Sequence, residues 1–365
     1  MRIEPPLRWD MFCRVIDNFG DLGVCWRLSR NLATRGQQVR LWVDAPQALA
    51  WMAPDGCAAV DVRHWSEPLD LRGVAPGDVL IEAFGCDPPA TYVAMFSEAV
   101  HADRSGAATS FRAWINIEYL SAEPFAERCH GLPSPVQHGA GAGLVKHFFF
   151  PGFTARTGGV LREADLAARQ SAFRRADWLH SHGVALVAGE RVVSLFCYEP
   201  PSLGALIEQL AAGPMPTRLL VAAGRPSAAV RRLLHEDNQH GALAVTFLPH
   251  LSQHDFDHLL WASDLNFVRG EDSLVRALWA RRPLVWQAYP QHDGAHAAKL
   301  EAWLRWLEAP ATLARWHRIW NGSEDADLPV LEPAAWQPCA QAACARLLAQ
   351  PDLAMQLLRF VAGKS

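Results

Sequence analysis

Two short stretches of this chain carry residue types and spacings that could do chemistry. The first is Asp17-Asn18-Phe19-Gly20-Asp21-Leu22-Gly23, which sets two carboxylates close together in a turn that glycine makes easy to bend. Acids so placed can hold a cationic group and take a proton from it. The second is Arg269-Gly270-Glu271-Asp272-Ser273, where a full positive charge precedes two acids and a hydroxyl able to cap a helix. A helix start presents unbonded N–H groups and the positive end of its dipole, which suits an anion such as a diphosphate. Plainer readings stand beside these. Asp21 also fits a helix N-terminal acid, Asp17 a strand-end turn residue, and the 269–273 run a cap with a surface ion pair. The residues by themselves leave both readings open.

Alternating strands and helices must position these stretches. Residues 11–16 read as a strand, 24–34 as a helix with Val24, Leu28 and Leu32 on one face, and 39–43 as the next strand. Further strands are expected at 58–62, 79–83 and 113–117, with a helix over 92–100. Residues 139–143 are glycine-rich and read as a flexible loop, 146–153 as an aromatic patch, and 161–178 as one helix. The second half restarts the pattern, with strands at 192–198, 219–223, 243–247 and 265–268. Helices are expected at 203–212, 228–235, 252–261 with Ser252 as cap, and 274–281, and a strand follows over 283–289. The tail holds helices near 295–307, 312–320, 341–349 and 353–361, which could close the second sheet or cross back to the first domain.

The totals bound the class. A chain of 365 residues, half of them hydrophobic, suggests two domains, taken as 1–180 and 181–365. A net charge of -4 argues against a protein that coats nucleic acid. Eight cysteines without a C-x-x-C pair read as free thiols of a reducing, cytoplasmic setting. No apolar run approaches the roughly 20 residues of a spanning helix, so no membrane is expected. The fifteen tryptophans suggest that several line clefts or interfaces. The dinucleotide fingerprint G-x-G-x-x-G is missing after the first strand, which ranks an NAD-dependent enzyme last. Two doubly wound α/β domains facing a cleft, with acids on one sheet and an anion-binding helix start on the other, is the layout of a GT-B glycosyltransferase.

The motifs narrow this further. The run Cys13-Arg14-Val15-Ile16-Asp17-Asn18-Phe19-Gly20-Asp21-Leu22-Gly23-Val24-Cys25-Trp26-Arg27-Leu28 closely resembles the start of the EarP family, arginine rhamnosyltransferases that modify translation elongation factor P. Trp114-Ile115-Asn116-Ile117-Glu118-Tyr119-Leu120-Ser121-Ala122-Glu123, Cys129-His130-Gly131-Leu132-Pro133-Ser134-Pro135, the stretch 148–159 and Val268-Arg269-Gly270-Glu271-Asp272-Ser273 agree with it in collinear order. The tail beyond about Ala309 carries no matching signature. The resemblance implies a GT-B fold and a metal-independent, inverting transfer of rhamnose from dTDP-β-L-rhamnose to one arginine of elongation factor P. It also implies Asp21 as general base and Glu271 as essential.

On that basis Asp17 orients the acceptor or supports Asp21, and Glu271 accepts hydrogen bonds from ribose or sugar hydroxyls. Arg269, Tyr198, Gly270 and the N–H groups near Asp272 and Ser273 would meet the diphosphate. Phe247, Leu248, Pro249 and Gln253 would stack on and read the base, and Phe19 and Gly20 are assigned to the donor as well. Their ordinary roles are strand-end packing, a cap and a buried phenol. Asp325-Ala326-Asp327 is a D-x-D in a polar turn far from either stretch, so no metal or other cofactor is expected. The competing readings are a GT-B enzyme acting on a saccharide or small molecule and a non-catalytic nucleotide-sugar-binding protein.

Overall fold

A computed structural model of the chain describes residues 6–16, 19–104, 112–234, 238–291 and 294–363. The chain divides into two compact units, Met1–Ala50 with Pro54–Ala164 and Gln350–Ser365, and Trp51–Ala53 with Asp165–Ala349. The division differs from the expected 180/181 boundary at both ends.

The first unit is built on a seven-stranded sheet of order β3-β2-β1-β4-β5-β7-β6. Its strands are β1 (Arg8–Cys13), β2 (Gln38–Val43), β3 (Val60–His64), β4 (Val79–Ala83), β5 (Ala113–Ile117), β6 (Pro133–Pro135) and β7 (Val145–Phe149). Among the described residues of this sheet only β6 pairs antiparallel. β1, β4 and β5 are buried along almost their whole length, which is why they read as unbroken apolar runs rather than alternating ones. Helices α1 (Gly20–Thr34), α2 (Leu49–Met52), α3 (Ala90–Arg104) and α4 (Pro124–Cys129) follow strands in turn. On one face, Phe12, Trp42, Trp65, Tyr92 and Trp114 form an aromatic core. Gly141 lies inside it: a Cβ there would stand 2.7 Å from the Trp114 ring. The glycine run expected to be a flexible loop is therefore a turn packed at Gly141 by close approach, while Gly139 and Gly143 take φ of +74° and +84°, which favours glycine.

The second unit holds a six-stranded sheet of order β10-β11-β9-β8-β12-β13. The strands are β8 (Arg191–Leu195), β9 (Thr217–Val221), β10 (Gln239–His240), β11 (Leu243–Phe247), β12 (Leu265–Arg269) and β13 (Leu284–Gln287). The single helix expected over 161–178 is two short ones, α5 (Leu166–Ala172) and α6 (Arg175–Ser181). Phe173, extended at φ −65° and ψ 134°, ends the first. The other helices are α7 (Leu203–Ala211), α8 (Arg225–Leu234), α9 (Gln253–Ala262), α10 (Glu271–Ala280), α11 (Ala295–Leu307), α12 (Ala311–Trp320), α13 (Pro333–Leu348) and α14 (Leu353–Ala362). Ser252 caps α9 as expected, accepting from the Asp255 N–H at 3.1 Å.

α14 belongs to the first unit, not the second. Its cap Asp352 accepts from Arg35 of α1 at 2.7 Å, and the Leu353 N–H donates to the Val160 carbonyl at 3.0 Å. The ring of Phe360 meets Phe149 edge-on. The aromatic stretch ahead of residue 160 is thus the seat of the chain's last helix. The tryptophans also depart from expectation: Trp51 is exposed and Trp306 half-buried, while the rest are buried in the cores. Among the described residues no helix is long and apolar enough to cross a membrane.

Candidate active site

In the first unit the chain leaves β1 for β2 on one side and later places β4 on the other. The carboxyl end of β1 is therefore the point where strand order reverses, the usual ligand edge of such a sheet. α1 begins earlier than expected, at Gly20, so Asp21 lies in its first turn rather than in a loop. The plain reading of a helix N-terminal acid and the chemical reading thus fall on the same residue, and the dipole stabilises its ionised form. Asp21 Oδ2 accepts a hydrogen bond from the Tyr119 hydroxyl at 3.3 Å. Tyr119 follows β5 and stacks on Phe84 at 4.8 Å between ring centroids. Phe84 and Asp87, just past β4, hold φ of 56° and 45°, values that non-glycine residues adopt only when the surroundings impose them. Three adjacent strands therefore deliver Asp21, Phe84 and Tyr119 to one edge. Phe19 and Gly20 are exposed there, while Asp17 lies outside the described residues.

Beneath this edge the thiols of Cys13, Cys25 and Cys86 lie close together, and burial pushes those of Cys25 and Cys86 well up, so they stay neutral. Beside Tyr119, the half-buried Glu118 carboxyl accepts from Asn116 Nδ2 at 2.8 Å. Burial raises its pKa, and the neighbouring Glu82 adds to the shift. Glu82 itself is buried against Lys146 at 3.1 Å.

The second unit repeats the reversal between β8 and β12. Arg269 ends β12, and its guanidinium lies 4.5 Å from the ring centroids of both Phe196 and Tyr198. Its hydrogen bond goes to the Cys197 carbonyl at 3.2 Å, and among the described residues no carboxylate pairs with it. Burial works against this charge, and the nearby Arg225 pushes the same way. Gly270 follows with φ +69° and ψ −174°, a conformation that favours glycine. A Cβ there would stand 3.6 Å from the Tyr198 hydroxyl. Burial raises the Tyr198 phenol to about 12, so it remains a hydrogen-bond donor across the neutral range. Gly270 occupies the cap position of α10 and has no side chain to cap with. Ser273, expected to cap, is instead buried in the helix's first turn. Asp272 is half-buried beside it, and Glu271 forms an ion pair with Lys299 of α11.

The residues expected at the base divide. Phe247 ends β11 with its ring 3.8 Å from the Arg231 guanidinium, Pro249 is exposed, and Gln253 opens α9 buried. The Leu248 side chain packs into a core cluster with Trp178 and Leu259, the strand-end packing named above as its ordinary role. Among the described residues no group of three or more His, Cys, Asp or Glu could hold a metal ion.

Phe196, Tyr119 and Lys299 were not singled out from the sequence. Phe196 had a signal, since it stands two residues from Tyr198 and so shares its face. Tyr119 and Lys299 reach the site from 98 and 28 residues away from their partners, and nothing local marks them.

Comparisons with known proteins show the family and the fold. The family model for "Elongation-Factor P (EF-P) rhamnosyltransferase EarP" matches residues 9–362. A protein-arginine rhamnosyltransferase of Pseudomonas putida is 46% identical, covering 96% of this chain and 98% of that protein. That of Pseudomonas aeruginosa is 42% identical, covering 97% and 98%. A solved structure giving the structural basis for EarP-mediated arginine glycosylation of EF-P superposes with a TM-score of 0.65 at 34% identity, covering 98% of this chain and 99% of that one. A UDP-glucosyltransferase of Polygonum tinctorium superposes with a TM-score of 0.52 at 10% identity over 99% and 98%, a likeness of fold alone. The fold is that of the GT-B glycosyltransferases, and the chain belongs to the EarP family of EF-P rhamnosyltransferases.

Proposed function

We propose that this chain transfers L-rhamnose from dTDP-β-L-rhamnose to an arginine side chain of EF-P, inverting the anomeric centre, in the cytoplasm. The 46% identity to a protein-arginine rhamnosyltransferase over nearly the whole length carries the reading. The charge on each sheet edge supports it. A guanidinium is a poor nucleophile, because its lone pairs are delocalised and it stays protonated. Asp21 is the base: as a guanidinium nitrogen bonds to the anomeric carbon, it gives up a proton to the Asp21 carboxylate. Tyr119 holds that carboxylate, and Asp17 helps to orient the acceptor.

The bond from the anomeric carbon to the diphosphate oxygen breaks, and dTDP leaves with the electron pair. Arg269, the Tyr198 hydroxyl and the N–H groups that open α10 at Glu271, Asp272 and Ser273 offset the growing negative charge. These groups do the work a cation would otherwise do, so no metal enters the scheme. Glu271, held by Lys299, accepts from ribose or sugar hydroxyls, and Phe247, Pro249 and Gln253 meet the base.

Incubation with dTDP-β-L-rhamnose and EF-P, followed by intact-mass measurement, tests the proposal. One added deoxyhexose, located on an arginine by fragmentation, is expected. An unchanged EF-P mass, or transfer to a saccharide or small molecule instead, would overturn it.

A further inference from the structure

The donor edge of the second unit holds a second cation that the scheme above does not use. Arg225 follows β9 and opens α8. Gly224 before it takes φ +89°, a conformation that favours glycine, where the chain turns out of the sheet. β9, β8 and β12 are consecutive neighbours in the sheet, so Arg225, Tyr198 and Arg269 arrive on three adjacent loops of one edge. Arg225 acts electrostatically on both of the others, drawing the Tyr198 phenol down and opposing the Arg269 charge.

Neither arginine pairs with a carboxylate among the described residues. Arg175, Arg218, Arg232 and Arg276 of the same unit all do. Two guanidinium groups brought together with a phenol and no counter-charge repel each other until an anion arrives. A diphosphate has two phosphoryl groups, one for each. Its negative charge also grows when the sugar departs, so paired cations favour the leaving group over the intact donor.

We infer that Arg225 is a second diphosphate-binding residue, taking the phosphoryl oxygens on the β9 side while Arg269 takes those on the β12 side. This rests on the reading that the second unit holds the nucleotide sugar. An exposed guanidinium of this kind supports charge-assisted hydrogen bonds to phosphate and loses them on neutralisation.

The test is calorimetric titration of the full-length protein with dTDP and with thymidine, for the parent, Arg225→Gln and Arg225→Lys, at low and high salt. Arg225→Gln should weaken dTDP binding about tenfold, leave thymidine binding unchanged and flatten the salt dependence. Arg225→Lys should recover part of the affinity, because it restores charge without the fork. Equal dTDP affinity and salt response in the parent and Arg225→Gln would overturn the inference. So would an equal loss for dTDP and thymidine, which would mark a role in shaping the edge rather than binding phosphate. A parent protein that binds no dTDP would instead sink the donor reading beneath it.

Discussion

The two units carry the same topological device and opposite chemistry. In each, a central strand, β1 or β8, sits where strand order reverses, and a helix starts at that edge. In the first unit the helix start bears an acid, Asp21, with a phenol donating to it and exposed aromatic rings around it; Tyr119 is 44% and Phe19 41% exposed. In the second, the matching edge bears Arg269 wedged against two rings, one of them the Tyr198 ring, which is only 7% exposed. An open acidic edge suits a bulky cationic acceptor. A half-enclosed cationic edge suits a small anionic donor, because lower local dielectric strengthens each contact to it. On the proposed function, one fold supports both halves of a transfer, with the side chains at the strand ends setting which half each unit would perform.

The sharpest way to break this contrast is to neutralise the acid. Asp21→Asn should cut transfer by about 10²–10⁴-fold, the usual worth of a positioned base, with dTDP affinity unchanged. Transfer that survives in a mass assay would remove the first unit's edge from the chemistry. Neutralising the cation comes next. Arg269→Gln should lower kcat by about 10²–10³-fold, the range for a lost transition-state charge contact, and weaken dTDP binding as well. A purely acceptor-side defect would reverse the assignment of the two edges.

A third difference lies in the cores. His317 is fully buried in the second unit, where its Nε2 accepts from the Trp286 N–H at 2.9 Å and its Nδ1–H donates to the Leu313 carbonyl. Burial lowers its pKa to about 4. In the unfolded chain a histidine titrates near 6.5. Below that value the unfolded state binds the proton and the folded state does not. Stability from this group is therefore complete above pH 6.5 and declines as pH falls towards 4, by roughly 3 kcal/mol. Hydrogen exchange followed along the chain should show amides around His317 losing protection over that window, and His317→Gln should flatten the loss. The smallest expected effect is Tyr119→Phe, which removes one hydrogen bond to Asp21. About 1 kcal/mol, or a few-fold in kcat/KM, is expected with donor affinity intact. A change in donor affinity would show that Tyr119 acts on the donor and not only through Asp21.

Much of this was legible in the sequence wherever the cue was local. Asp21 and Arg269 announced themselves because a buried strand, a glycine turn and a helix start lie within a dozen residues of each other, and the shift of hydrophobic period marks the change. The alternation of strands and helices gave the central strands of both sheets to within a few residues, but not β6 and β10, which are two or three residues long, nor β7, which read as an aromatic patch. Where the cue depended on distant partners, the reading failed. Nothing in the sequence showed that the Leu248 side chain packs under Trp178 and Leu259. Residues 139–143 looked mobile because glycine usually signals freedom, whereas here it admits the Trp114 ring.

By itself the sequence determined which residue types stand at the two strand ends, the family, and the alternating architecture, because capping, periodicity and turn chemistry act over a few residues. Tertiary structure alone decided which groups meet. It put Tyr119 on Asp21 and Lys299 on Glu271, it brought Arg225 and Arg269 to one sheet edge, and it seated the last helix on α1 through Arg35 and Asp352. Such pairings follow from strand order and packing, which bring together residues that the chain keeps far apart.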